Sequence, residues 1–316
     1  MKFSVSVIIP VYNCERFIEK AINSAVLQAE VSEIVVVDDG STDGSLLILE
    51  QLELENPIIK VYHHKNKVNK GRSASRNLAL QKATQPFIAF LDADDYFLPN
   101  RFTNDKKIFH QNNLVDGVYN AIGAHFYRNS TTSIHNQLEL TTISENVNPE
   151  KLFDILISGK KGHFSIDGLT IKKSVFDKIG FFNEDLIVAE DTDVIWKMAL
   201  KCKLIPGVRN LPLAMRGVHE NNVSNREDLY KIYSIKMYES LFFWSNKQQM
   251  GLKTVERFLE RIWILKFRQN NSIIKDTKYW LFLTFKSPRV LFSYLTVKYF
   301  PLVRLRKRIF PFLYKQ

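Results

Sequence analysis

Three clusters of carboxylates mark the first two hundred positions of this 316-residue chain, and each follows an apolar run. The densest is Asp92, Asp94 and Asp95, within FIAFLDADDYFLP at 87–99. That much negative charge is costly unless something positive neutralises it, and a divalent cation carrying a phosphorylated ligand is the economical candidate. A solvated Asp-rich turn is the plainer alternative. The second cluster is Asp38 and Asp39, leading into Gly40, Ser41, Thr42 and Asp43. The third gathers Glu184, Asp185, Glu190, Asp191 and Asp193. Acidic residues at a helix start complement its dipole and cap orphan amides, which accounts for one or two of these. Asp191, approached through the apolar Leu186–Ala189, is also placed to act as a base in a cleft.

These residues need a scaffold that delivers them to one place. Residues 4–12 read as a buried strand, followed by a helix over about 15–29 with Phe17, Ile18, Ala21, Ile22 and Ala25 on one face. A second strand at 33–37 ends at Asp38. The next helix is expected to be capped by Ser41 or Thr42, with Asp43 in its first turn and Leu46, Leu47, Leu49 and Leu52 as its apolar positions. A strand at 58–62 leads to the basic loop 63–72, and a helix follows with Arg72, Arg76 and Asn77 near its start. Phe87–Leu91, apolar without alternation, suits a strand covered on both faces. A helix to about Asn112, a strand near 115–120, a polar loop region over 128–148, a strand near 169–171 and a short helix from Ser174 to Gly180 continue the pattern. This βαβ alternation predicts an α/β fold: a doubly wound, mostly parallel sheet that binds ligands at its carboxyl edge, where the polar clusters should meet.

Composition bounds the rest. Cys14 and Cys202 are too few for a disulfide framework; they suit a reducing cytoplasm and the role of buried apolar fillers, with no redox or zinc chemistry indicated. The opening MKFSVSVIIPVYN reads as a first strand, not a signal peptide, because its apolar run is short and contains Pro10. The net charge is +11, and it is unevenly placed. Residues 1–225 carry 25 Lys and Arg against 27 Asp and Glu, whereas residues 226–316 carry 19 against 6. An anionic partner is therefore expected for the last third alone.

The ordered set VSVIIPVYN (5–13), EIVVVDDGSTDGS (33–45), NKGRSASRNLAL (69–80), FIAFLDADD (87–95), IGFFNEDLIVAEDTDVIWKMA (179–199) and RGVHENNVSN (216–225) resembles glycosyltransferase family 2, inverting enzymes of GT-A fold. One such motif is common by chance; six in the family's order are not. The resemblance covers roughly residues 3–226 and implies a catalytic domain over 1–225. Its Rossmann-like nucleotide-sugar half would be 1–98 and its acceptor half 99–225. It implies that Pro10, Tyr12 and Asp39 hold the base of a UDP-type donor. Gly71, Arg72 and Arg76 would face the nucleotide and diphosphate, as guanidinium groups suit phosphate oxygens. Asp92, Ala93 and Asp94 match the family's DxD, with Asp94 the metal ligand for Mn²⁺ or Mg²⁺, His219 a possible second, and Asp92 supporting the donor. Asp191 falls on the catalytic base, with Glu190 beside it on the acceptor side. Lys197 stands where many relatives have Arg.

Residues 226–316 read as a helical, basic extension. Leu252, Val255, Phe258, Leu259, Ile262 and Trp263 form one apolar stripe, and no uncharged stretch there reaches the roughly 20 residues that span a bilayer. Interleaved aromatics and cations suit the surface of an anionic membrane; cover for the catalytic domain or a homodimer contact is the alternative. No motif supports nucleic acid. The resemblance and the extension together imply a cytoplasmic protein, peripheral at the membrane. It would transfer a hexose or N-acetylhexosamine to a saccharide or lipid-linked acceptor in bacterial surface polysaccharide synthesis, such as capsule, O-antigen or lipopolysaccharide. A non-catalytic nucleotide-sugar-binding or scaffold protein is one alternative. A sugar nucleotidyltransferase is another, but it needs a glycine-rich basic loop after the first strand, which VYNCERF is not.

Overall fold

The computed structural model describes residues 2–269 and 272–309; residue 1, residues 270–271 and the last seven residues of the basic extension lie outside the described residues. Chain contacts divide it into two units, Met1–Arg226 and Glu227–Gln316.

In the first unit the order is β1 (Val5–Val11), α1 (Ile18–Val26), β2 (Val31–Asp38), α2 (Ser45–Glu55), β3 (Ile59–His63), α3 (Arg72–Lys82) and β4 (Phe87–Phe90). It continues through β5 (Tyr96–Phe97), α4 (Thr103–Gln111), β6 (Gly117–Tyr119), β7 (Gly123–Phe126), α5 (Thr132–Leu138), α6 (Leu152–Ser158) and β8 (Leu169–Lys172). It closes with α7 (Val175–Ile179), α8 (Glu190–Lys201), β9 (Leu204–Pro206) and β10 (Ala214–Val218).

Seven strands form one sheet in the order β3-β2-β1-β4-β8-β6-β9. β1, β2, β3 and β4 run parallel, and β8 is antiparallel to both neighbours, so the sheet is mixed but mostly parallel. β1 and β4 are buried along nearly their whole length, as expected of mostly apolar strands covered on both faces. Pro10 is tolerated because β1 pairs with β4 only from Val5 to Ile8, so the missing N–H falls where β1 has outrun that neighbour. The in-register ends of β1, β2 and β4 bring Tyr12, Asp38 and Leu91 to one edge. A second sheet, β5-β10-β7, stands beyond it and ties Tyr96–Phe97, just after the acidic turn, to β10.

Two helix starts differ from the sequence reading, for one reason. α1 begins at Ile18 and α2 at Ser45, because the loop before each is tied to the other. Asn13 N–H donates to Ser41 Oγ at 3.1 Å, and Thr42 N–H donates to Asn13 Oδ1 at 2.7 Å. Glu15 accepts Gly44 N–H at 2.6 Å, and Asp43 accepts the amides of Glu15 at 3.1 Å and Ser45 at 3.0 Å. Asp43, not Ser41 or Thr42, therefore satisfies the first orphan amide of α2. The polar region 128–148 contains a short helix, α5, whose preceding Thr131 accepts Ile134 N–H.

The second unit is helical: α9 (Glu227–Lys247), α10 (Leu252–Phe267), α11 (Ile273–Lys286), a 3₁₀ turn at Pro288–Phe292 and α12 (Tyr294–Tyr299). Val255, Phe258, Leu259, Ile262 and Trp263 of the expected stripe are buried, and α10 packs against α9. That stripe is spent on the unit's own core. Among the described residues no helix is long and apolar enough to cross a membrane.

Candidate active site

β4 ends at Phe90, and the turn after it carries Asp92, Asp94 and Asp95 with oxygens within 4.8 Å of one another. Each carboxylate has a different partner. Asp92 Oδ1 accepts Arg76 Nη2 at 2.6 Å, and Asp95 Oδ1 accepts Gly217 N–H at 2.8 Å. Asp94 Oδ2 accepts His219 Nε2 at 2.9 Å and Asn222 Nδ2 at 3.0 Å. The second oxygen of each has no hydrogen-bond partner among the described residues. Ala93 is buried between them.

Burial pushes Asp92 up, but the Arg76 and Arg72 guanidiniums outweigh it and hold the carboxyl below its usual range. Asp95 goes the other way: burial, then the Asp167, Asp94 and Asp92 carboxylates, push it well above that range. The turn thus holds more negative charge than its own cations compensate. Three close carboxylates with open hard oxygens and a charge surplus fit Mg²⁺ or Mn²⁺, with Asp94 supported by Asp92 and Asp95 as the donor set. His219 stands differently. Asn221 N–H donates to its Nδ1 at 3.2 Å, which leaves the proton on Nε2 and makes that atom the donor to Asp94. With its ring stacked on Phe17 at 4.7 Å, His219 orients the Asp94 carboxylate.

Arg76 links this turn to α8. It is 1% exposed; its Nη1 donates to Glu190 Oε1 at 2.8 Å while Nη2 holds Asp92, and the Phe182 ring lies 5.4 Å from the guanidinium. Arg72 Nε approaches the same Glu190 oxygen at 3.3 Å. Glu190, read from the motif as an acceptor-side residue, is 1% exposed and faces these two cations. Burial pushes its carboxyl up, and Arg72 and Arg76 only partly offset that.

Ala189, just before α8, is left-handed at φ 64°, which costs an L-residue about 1–2 kcal/mol. After this kink the neighbouring carboxylates diverge: Glu190 is buried and Asp191 only half-buried. Asp191 Oδ1 accepts the Thr192 N–H at 2.6 Å, and Oδ2 has no hydrogen-bond partner among the described residues.

Asp39 is buried, and its two oxygens accept the amides of Lys70 at 2.7 Å and Gly71 at 2.8 Å, with His64 Nε2 at 3.5 Å. It therefore fixes the loop that opens α3, where Gly71 at φ 86° supplies a conformation other residues resist. Tyr12 is 48% exposed beside it and Pro10 half-buried, both at the end of β1. Asp38 accepts the amides of Gly40 and Ser41, each at 3.2 Å to Oδ2.

Several contributors carry no sequence signal of their own. Asp167 Oδ1 accepts the Asp92 amide at 3.0 Å, and burial, then Asp92, pushes its carboxyl to about 6. Beneath it Arg101 and Asp105 form a fully buried pair at 2.9 Å, joined by Asn120 and Thr170. Asn222 lies within the quoted RGVHENNVSN stretch and is found only through its contact with Asp94.

Residues 6–180, more than half of the chain, match the family model described as glycosyl transferase family 2. An uncharacterized glycosyltransferase of Haemophilus influenzae is 26% identical over 225 residues, 71% of each chain. The chain spans less than half the length of the first curated relatives it matches, 44% of one and 18% of two others. Residues 1–349 of S. aureus TarS, in complex with UDP-GlcNAc, align with a TM-score of 0.59 at 20% identity, covering 97% of this chain and 92% of that one. A mannosyltransferase, PcManGT of Pyrobaculum calidifontis in complex with GDP-Man and Mn²⁺, aligns at 0.51 and 15% identity over 97% and 87%. These likenesses give the GT-A fold, and the match along the sheet that carries the acidic turn gives the family: the chain belongs to glycosyl transferase family 2.

Proposed function

We propose that this chain transfers a sugar, a hexose or N-acetylhexosamine, from a nucleotide donor to a saccharide or lipid-linked saccharide acceptor, with inversion at the anomeric carbon. UDP is the expected nucleotide, in line with the UDP-GlcNAc complex of the TarS neighbour. The observation that carries the reading is Arg76, which spans from Asp92 at the end of β4 to Glu190 at the start of α8. That bridge ties Glu190 to the carboxylate turn, and Asp191, the next residue of α8, is half-buried with one oxygen open.

Asp191 takes the acceptor hydroxyl proton as the acceptor oxygen bonds to the anomeric carbon and the bond to the diphosphate oxygen breaks. One displacement makes a β-glycoside from an α-linked donor. Tyr12, Pro10 and the loop fixed by Asp39 receive the base, and Arg72 faces the diphosphate as a partly exposed guanidinium. Asp94, with Asp92 and Asp95, would hold Mn²⁺ or Mg²⁺, which when bound supplies charge neutralisation to the diphosphate. His219 and Asn222 keep the Asp94 carboxylate in place for it. Within this reading the site works at the cytoplasmic membrane face in surface polysaccharide assembly, and residues 226–316 make the membrane contact.

A panel of UDP, GDP and dTDP sugars, assayed for donor hydrolysis and transfer with and without Mn²⁺, tests the proposal. Metal-stimulated release of one nucleoside diphosphate supports it. Donor binding without turnover across acceptors favours a non-catalytic binding protein, and an α-linked product seen by NMR overturns the inverting mechanism.

A further inference from the structure

The second unit contains a cavity of about 520 Å³, within the range typical of small-molecule sites. Phe243 and Asn246 of α9, Phe282 of α11, and the run Lys286-Ser287-Pro288-Arg289 line it, with Lys247. Its apolar surface is the edge-to-face pair Phe243 and Phe282, with centroids 5.8 Å apart. Three cations stand around this aromatic floor, and none of Lys247, Lys286 and Arg289 has a carboxylate partner among the described residues. Arg289 Nη2 donates to Met250 O at 3.1 Å, which holds its guanidinium in place.

Two buried polar atoms of the lining residues are also unmatched. Ser287 is 4% exposed and its Oγ has no hydrogen-bond partner; neither has Asn246 Oδ1, although Asn246 Nδ2 donates to Phe242 O at 2.8 Å. Orphaned buried polar groups call for a ligand or water to satisfy them. Here a hydroxyl donor suits a phosphate oxygen, and an amide oxygen suits a headgroup hydroxyl.

We propose that this cavity binds a phosphate-bearing lipid, its phosphate met by Lys247, Lys286, Arg289 and Ser287 and the start of its apolar chain by Phe243 and Phe282. The proposal rests on reading residues 226–316 as membrane-contacting, and it names the site that makes the contact specific. A free phosphate ester would account for the cations alone. The lipid also accounts for the neighbouring chain: Phe285 is 86% exposed, Phe292 88%, Tyr294 75% and Leu291 51%, each within five residues of Arg289. Exposed aromatics beside unpaired cations are the composition of a surface seated in the headgroup layer of an anionic bilayer.

The test is flotation of the full chain with vesicles of phosphatidylcholine alone or mixed with phosphatidylglycerol. Binding to the mixed vesicles is expected. The triple variant Lys247→Ala/Lys286→Ala/Arg289→Ala should weaken it on the order of a hundredfold, at roughly tenfold or less per cation removed. Ser287→Ala, which removes one hydroxyl, should cost about tenfold. An equal-charge control, Lys253→Ala/Lys275→Ala/Lys278→Ala, should lose clearly less, and donor hydrolysis should be unchanged in all three variants. Equal losses in the two triple variants mean bulk electrostatics and overturn the cavity, as does unchanged binding of the cavity triple. Binding of inorganic phosphate, measured by calorimetry without vesicles, that the cavity triple abolishes while its flotation with mixed vesicles is unchanged assigns the cavity to a soluble ester and overturns the lipid. A full chain that ignores both vesicle types overturns the membrane reading together with the site.

Discussion

Arg76→Met removes the bridge between the carboxylate turn and α8 while keeping an apolar stem against Phe182. Its cost follows from what it leaves behind. The side chain of Asp92, 28% exposed, can turn to water, but that of Glu190 is 2% exposed and keeps only Arg72 Nε at 3.3 Å. Removing one partner of a buried ion pair costs about 3–5 kcal/mol, and the surviving Arg72 contact places this case near the low end, at about 3 kcal/mol. For a domain of this size that is a fall in Tm of roughly 6–12 °C. The loss should depend on pH. Burial already raises Glu190, and without Arg76 it rises further. A carboxyl whose folded pKa is raised binds its proton more readily in the native state, so its stability penalty is absent below the unfolded pKa and grows as pH climbs through the folded one. The variant should therefore melt closest to the native protein in mild acid and furthest from it above neutrality. Thermal melts across that range measure this, and Glu190→Gln supplies the cycle. With the stranded charge removed, Arg76→Met/Glu190→Gln should recover about 1 kcal/mol or more relative to the sum of the single variants. Additivity within about 0.5 kcal/mol, or a pH-independent loss, would refute the bridge as the holder of Glu190.

Asp191→Asn should lower kcat about 10²- to 10⁴-fold with donor affinity unchanged by calorimetry; retained kcat would remove Asp191 as the base. Gly217→Ala puts a Cβ 2.2 Å from Asp94 O, so the acidic turn must shift and Mn²⁺ affinity should fall, whereas native Mn²⁺ titration would contradict the packing. Burial pushes the Cys14 and Cys202 thiols up to about 12, so both should resist alkylation in the native state at mildly alkaline pH. Rapid labelling of either would show a more open environment.

The strands were legible because their signal is local. VIIPV, IVVV and FIAFL are short continuous apolar runs, which suit a strand covered on both faces. The starts of α1 and α2 were not, because Ser41, Thr42 and Asp43 have equal local claims to cap α2. The choice is settled by Asn13 and Glu15 reaching across from another loop. Membership of the site followed a similar divide. The family's motif order carries Asp94, Arg76 and Asp191 to one region, while Asp167 in the unremarkable SIDG supports the turn only because β8 is inserted antiparallel beside β4. In the extension the apolar stripe of α10 was visible as periodicity, but periodicity does not say which surface the stripe meets. It meets α9.

Burial divides the aspartates of the site by task. Asp39 and Asp95, 3% and 4% exposed, each accept a glycine amide, Gly71 and Gly217 respectively, and so hold backbone where a side chain is absent. Asp94 and Asp191 keep an open oxygen on a half-buried residue. For Asp95 the two tasks overlap, since it also belongs to the carboxylate trio, and two substitutions separate them. Asp95→Asn retains an oxygen for the Gly217 N–H and removes the charge; Asp95→Ala removes both. If the amide is the structural requirement, the Asn variant should melt near the native protein and the Ala variant should lose about 1–3 kcal/mol, the cost of an unpaired buried donor. If the charge also serves the cation, both variants should weaken Mn²⁺ binding alike. Equal stability of the two variants would refute the tether, and unaltered Mn²⁺ affinity in both would leave the cation to Asp94 and Asp92.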